Sequence, residues 1–190
     1  MNVFVLSECP VESAKMMCDK HIPKMIVESA QMLSTAHRML DGEMYKAPSK
    51  SGKTMVKHYL LPDSNREAVM YKSVHAGHPC TKWTMESKGN YDWHYKHFLA
   101  LCSEFVYRFN KEHLTYTKLK ELLEVAPRNI PDIGLTEFAQ AMSAYPQCAV
   151  KGDAVEAYRN YYHEAKPFAK WVKGRPAPSW WEGYKGEVAA

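Results

Sequence analysis

The chain predicts a mostly α fold: one compact helical domain over residues 1–190, with five or six helices and a long loop after the second. Three observations carry that expectation. Apolar residues recur every three or four positions through several long stretches, no βαβ alternation is present, and no linker divides a chain long enough to bury one sizeable core. The missing βαβ units exclude the doubly wound nucleotide-binding folds.

Taken in order, Val3-Phe4-Val5-Leu6 is a short β-forming run that reads as a lone strand or an extended lead-in. Pro10 opens a helix over residues 10–20. Pro23 then opens a second helix at its first turn, or kinks a continuous one, and Asp41-Gly42 stops it near Leu40. Residues 43–76 mix Pro, Gly, Ser and Lys with little periodicity, which predicts a long loop or insertion. Within it Ala47-Pro48-Ser49-Lys50-Ser51-Gly52-Lys53-Thr54 imitates a phosphate-binding P-loop. Ala47 replaces the first glycine and no apolar strand precedes it, so hydrolysis of a nucleoside triphosphate is rejected.

From His78-Pro79-Cys80 the chain turns helical again and pauses near Lys88-Gly89-Asn90. A long helix follows, with Phe98, Leu101, Cys102, Phe105, Val106 and Phe109 at core spacing. A short helix over 115–125 and a brief helical piece over 135–142 come next, among Pro127, Pro131, Gly134 and Pro146. Asp153 is placed to cap a last long helix reaching about residue 171. Residues 174–190 form an aromatic tail that packs across the body through Trp180, Trp181 and Tyr184.

Composition narrows the class. No run of 18 apolar residues and no basic, cleavable leader is found, so a soluble cytoplasmic protein with no membrane partner is expected. Five cysteines, odd in number and without a Cys-x-x-Cys pair, argue against a disulfide framework, a zinc ribbon and thiol redox work. The net charge of +4 is mild, but five Trp and twelve Tyr crowd into segments that are also basic. Basic grooves with flat side chains suit DNA or a nucleotide, since phosphates need cations and bases need stacking surfaces. The competing account of those aromatics is core and lid packing.

Three constellations can carry chemistry. His21, Lys24, Glu28, Gln31, Thr35 and Arg38 fall on one stripe of the second helix, opposite Ile22, Met25, Ile26, Met32, Leu33 and Ala36. A His and a Lys one turn apart, followed by a carboxylate, can hold an imidazole, an amine and an acceptor around one small volume. His21, Lys24 and Glu28 are therefore the catalytic candidates, with Gln31 and Arg38 binding beside them. A wet helix face explains the same spacing without function. The second constellation is His78, Lys82, Trp83, Glu86, Asn90 and Tyr91, where Trp83 or Tyr91 would stack a base while Lys82 meets a phosphate. A structural Trp beside a Pro turn is the alternative. The third is a basic stripe on the last helix, Arg159, His163, Lys166, Lys170 and Lys173, beside Tyr158, Tyr161, Tyr162 and Trp171. Arg159, Tyr162 and Lys166 are its candidate phosphate or substrate contacts. The pairs His75/His78 and His94/His97 have metal-compatible spacing, but nothing completes a site, and no metal or other cofactor is expected.

The run Cys18-Asp19-Lys20-His21-x-x-Lys24-Met25, continuing through Glu28-Ser29-Ala30-Gln31 to Arg38, resembles a family of small tailed-phage proteins. The likeness continues at His78-Pro79-Cys80, Asn90-Tyr91 and Tyr158-Arg159-Asn160-Tyr161-Tyr162. More distantly, Lys20-His21-Ile22-Pro23-Lys24 and the aromatic stretch from Pro178 to Gly186 resemble the phage pyrimidine-dimer DNA glycosylases, compact helical base-excision enzymes. The resemblance implies a DNA- or nucleotide-acting, glycosylase-like enzyme in a host cytoplasm. Those enzymes attack the sugar with an amine exposed by Met removal, whereas Asn2 is a poor side chain for that removal. Their catalytic glutamate corresponds to His21, leaving Lys24 or Lys20 to replace the amine and Glu28 the carboxylate. The alternative is a non-catalytic helical protein that binds a nucleotide or a host factor.

Overall fold

Two long helices packed on each other organise the molecule: α2 (His21–Asp41) and α5 (Lys88–Phe109). In the computed structural model, which describes residues 1–49 and 51–186, α1 (Pro10–Met16) lies on α5, and α4 (Pro79–Glu86) and α6 (Leu114–Leu123) flank α2. The chain is mainly helical, with seven α-helices among the described residues. These include α3 (Ser64–Val69) and α7 (Ala154–Ala165), with one 3-10 turn at Pro146–Cys148. Ile22, Met25, Ile26, Met32, Leu33 and Ala36 are buried, so the apolar stripe of α2 faces the core. Phe98, Leu101 and Phe105 answer it from α5. Asn110 at φ 53° ends α5 in the left-handed conformation that Asn tolerates.

Several expected boundaries move. Residues 3–6 form no strand, and all four are buried. The first helix stops at Met16 rather than Lys20. Residues 43–76, expected as a long loop, contain an antiparallel hairpin, β1 (Glu43–Pro48) and β2 (Met55–Leu60), followed by α3. Asp63 caps α3 by accepting from the Arg66 N–H at 2.7 Å. The last helix ends at Ala165 rather than near Trp171, because Lys166 precedes Pro167 and the proline ring disfavours α geometry there.

No helix forms over 135–142, because side chains satisfy its backbone instead. Thr136 N–H donates to Asn90 Oδ1, Ala141 N–H donates to the Tyr158 hydroxyl, and that hydroxyl donates to the Ala139 carbonyl. This irregular segment presses on the start of α5 at Gly89, where a Cβ would sit 2.4 Å from the Leu135 nitrogen. The tail packs through Trp180 and Trp181, which contact Tyr162 and His163. Residues 187–190 of the expected tail, like Lys50, lie outside the described residues.

Candidate active site

The first four residues are bent so that the chain start meets the N-terminal half of α2. Asn2 is buried, and its Oδ1 accepts from the N–H groups of Val3 and Phe4 at 2.8 and 3.3 Å while Nδ2 donates to the Ala141 carbonyl at 2.8 Å. Phe4 takes φ 53°, a left-handed conformation that bulky side chains rarely adopt. Its ring is stacked on His21 at 4.6 Å and on Tyr161 at 6.0 Å, and this packing together with the Asn2 bonds holds the turn.

That turn aims two backbone nitrogens at Glu28. Glu28 Oε2 lies 3.7 Å from the Met1 nitrogen and accepts from the Asn2 N–H at 3.1 Å, while Oε1 is 3.4 Å from Lys24 Nζ. Lys24 points largely to solvent, with its side chain 65% exposed, whereas the Glu28 side chain is 14% exposed. Glu28 therefore sits in a partly dry niche, bridging an amine, an amide and an ammonium. His78 caps α4 by accepting from the Cys80 N–H at 3.2 Å. Burial, and after it the N-terminal amine and His75, hold the His78 imidazole below its usual pKa, with Glu28 opposing them, so His78 shares this electrostatic neighbourhood. His78, Gln140, Ala141 and Met142 line a cavity of about 320 Å³ beside it.

Lys166 is the second cation near this end of α2. Its Nζ lies 4.0 Å from the Tyr161 ring centroid and 5.4 Å from that of Phe4. Burial, and then the charge of Lys24, pull its ammonium down to about 8.

The remaining expected site residues are distributed over the body. His21 is buried; its Nδ1 and the Tyr162 hydroxyl share a 2.5 Å hydrogen bond, and burial followed by the charges of Lys166, Lys24 and Lys20 hold its pKa at about 3. Phe4 covers this neutral ring on one face, so His21 and Tyr162 support the N-terminal strap formed by residues 1–4, and neither is hydrogen-bonded to Glu28. Gln31 is half-buried on α2 and makes a backbone hydrogen bond with Thr35, whose hydroxyl donates to the Gln31 carbonyl at 2.7 Å. Arg38 is fully buried and donates to the carbonyls of Tyr59, Glu67, Met70 and Tyr71 and to the Glu67 carboxylate, which uses all five of its N–H groups. It is an internal clamp and has no donor left for a phosphate.

In the second constellation Trp83, Asn90 and Tyr91 belong to the core. Trp83 packs edge-on against Trp93, Asn90 Nδ2 donates to the Trp83 carbonyl, and the Tyr91 hydroxyl donates to the Leu123 carbonyl. None presents a face on which a base can stack. Lys82 is exposed on α4. The basic stripe of the last helix is broken, since Lys166, Lys170 and Lys173 follow the end of α7. Arg159 donates to the Leu6 carbonyl at 3.1 Å and lies over Trp180, and it lines a cavity of about 700 Å³ together with Glu8, Glu137, Asp153 and Glu156. Four carboxylates repel a phosphodiester there. His94 and His97 are buried in α5, and among the described residues no three His, Cys, Asp or Glu side chains converge to hold a metal.

The niche also contains groups that sequence reasoning passed over. The main-chain nitrogens of residues 1 and 2 carry no side-chain signature, and Ala141 joins them from 139 residues away through its carbonyl alone. The available sign was Asn2 directly before the apolar run Val3-Phe4-Val5-Leu6, because an amide carried into the core with such a run must find partners.

A chain-start nitrogen held against a helix carboxylate, in a helical body with a nearby cavity, places a potential nucleophile beside a proton acceptor. Residues 1–117 match the family model described as pyrimidine dimer DNA glycosylase, and the chain belongs to that family. The match spans α1 to α5 and the start of α6, and so includes the strap, Glu28 and His78. Family membership makes this a glycosylase-like, DNA-acting chain. Neither the curated proteins nor the solved structures gave a match. No helix of the described residues is long and apolar enough to cross a membrane.

Proposed function

We propose that the protein removes a damaged pyrimidine from DNA through an imine formed by the amine at its chain start, with Glu28 as the proton-handling carboxylate. The observation that carries this reading is the position of Glu28 Oε2, 3.7 Å from the Met1 nitrogen and 3.1 Å from that of Asn2. The carboxylate serves whether the mature chain starts at Met1 or at Asn2. The unprotonated amine attacks C1′, the C1′–N bond breaks, and the pyrimidine leaves with the bonding pair and takes up a proton. Glu28 carries a proton from the attacking nitrogen to O4′ as the sugar ring opens, which leaves a protonated imine. Loss of a C2′ proton then expels the 3′ phosphate. Lys24, Lys82 and Lys166 supply cations for the flanking phosphates, and the cavity beside His78 has the volume to take one extruded base.

Borohydride reduction on a lesion-containing duplex tests this reading. A trapped protein–DNA species whose linked peptide maps to residue 1 or 2 is expected, and Glu28→Gln should lower the trapping rate by about 10²-fold or more. Absence of a trapped species across a panel of pyrimidine lesions, or a link at Lys24, overturns the assignment of the amine.

A further inference from the structure

Far from Glu28, at the other end of α2, the β1–β2 hairpin leaves the body with both faces almost bare. Nine of its twelve strand residues are exposed. A two-stranded sheet with neither face packed is marginal by itself, so something must hold it. The holding is visible. Arg38 donates from inside the body to the Tyr59 carbonyl of β2, and the same guanidinium grips α3 at Glu67 and the chain just after it at Met70, which mounts the hairpin on the helix that carries Glu28.

The use is written in its charges. The register sets Lys46 directly opposite Lys57, an arrangement that costs stability because like charges across a strand pair repel. Lys53 follows in the connecting turn, where Gly52 at φ 72° reverses the chain. Residues 43–60 contain one acidic side chain, Glu43, and among the described residues none of these three lysines has an ion pair. On the other face Tyr45 and His58 stack at 5.3 Å, with Tyr45 nearly half exposed. An unneutralised Lys–Lys pair on an exposed ribbon is complementary in charge to a polyanion, and a two-stranded ribbon has the width of the B-DNA major groove.

We propose that this hairpin is a second DNA contact, a basic ribbon that lies against the phosphates of duplex DNA outside the lesion and fixes the protein on undamaged sequence. The proposal rests on the DNA-acting reading above and adds a site to it. Thirteen residues of α2 follow Glu28 before the helix ends at Asp41, which is about 20 Å along the helix axis, and each strand is itself about 20 Å long. The contact therefore falls on the order of 6–12 base pairs from the reacting sugar. Affinity should accordingly rise with duplex length until that flank is covered.

Titration of wild-type protein with an undamaged 30-base-pair duplex at several salt concentrations tests the hairpin. The paired variant Lys46→Gln/Lys57→Gln should bind at least about 10-fold more weakly near 0.1 M salt and lower the salt slope by about two. Lys57→Glu should also weaken binding, while its thermal midpoint holds or rises, because it places opposite charges across the pair. This second variant separates loss of contact from loss of fold. Wild-type protein that binds duplex DNA, with both variants unchanged in affinity and slope, overturns the hairpin contact and leaves the imine reading standing. Retained DNA binding with loss of adhesion to anionic lipid vesicles assigns the ribbon to a membrane surface and also overturns it. Wild-type protein that binds no duplex at all overturns both.

Discussion

Glu28 owes its position to Asn2 more than to its own helix. A glutamate on an amphipathic helix ordinarily turns its carboxylate to water, and Lys24 one turn earlier would keep it there as a surface pair worth a few tenths of a kcal/mol. The N-terminal strap changes this by closing over the carboxylate. Asn2 accomplishes the closure through an oxygen that takes the next two N–H groups and a nitrogen that reaches Ala141. Asn2→Leu keeps the volume, and a bulky residue leaves N-terminal processing unchanged, but it removes these bonds and leaves the Ala141 carbonyl unmatched. The expected cost in stability is about 1–3 kcal/mol, read by urea unfolding. Displacement of the chain start by about 1 Å should lower the imine-trapping rate by about 10²-fold, with affinity for undamaged duplex little changed. Equal trapping by both proteins would remove the strap from the mechanism.

At the scale of elements, α2 is both the wall of the site and the mast of the hairpin, and Arg38 joins the two uses. A buried guanidinium whose partners are taken away, or whose own removal strands four carbonyls and the Glu67 carboxylate, is costly. Arg38→Met should destabilise the protein by about 3–5 kcal/mol, and hydrogen exchange should show the loss centred on the hairpin base and α3. Uniform loss across α5 as well would mean that the clamp is global. The sequence pattern was sufficient for α2 and α5, whose apolar residues face one side at a helical period, and for the cap at Asp153. It was insufficient for the hairpin. Strand alternation is legible only when one face is buried, and here neither face is, so Met44, Lys46, Val56 and Lys57 follow no period. The polar stripe of α2 was legible as a row of unusual side chains, but not in its division of labour. His21, Glu28 and Arg38 share a face, and only contacts with Tyr162, Met1 and Tyr59 from distant parts of the chain assign them to packing, niche and clamp.

Over the whole molecule the most general consequence is a dependence on acid that begins before the carboxylates titrate. His21, His37, His94 and His97 are buried, and each has its pKa lowered to about 3, in every case first by burial. Lys166 adds to this for His21, Arg66 for His37 and the neighbouring His94 for His97. A histidine in the unfolded chain takes up its proton near 6.5, whereas these four stay neutral in the fold until about pH 3. Between those limits the unfolded state binds more protons, so stability rises with pH; it is complete above about 6.5 and is lost as the pH falls. Each group contributes up to about 1.4 kcal/mol per pH unit, and four together can exhaust an ordinary stability of 5–15 kcal/mol within a few units. Glu67, drawn down to about 2 against burial by hydrogen bonds from Lys72, the Leu61 amide and Arg38, adds a loss of the same sign only below about 4.5. The window from 6.5 to 4.5 therefore reports the histidines alone. Urea midpoints measured across it should fall steadily toward the acid side. His97→Leu should flatten the slope by about one proton, since neither ring nitrogen of His97 has a hydrogen-bond partner to lose. A midpoint that stays level from pH 7 to 5 would require these rings to be already charged in the folded protein, which their burial in α2 and α5 forbids.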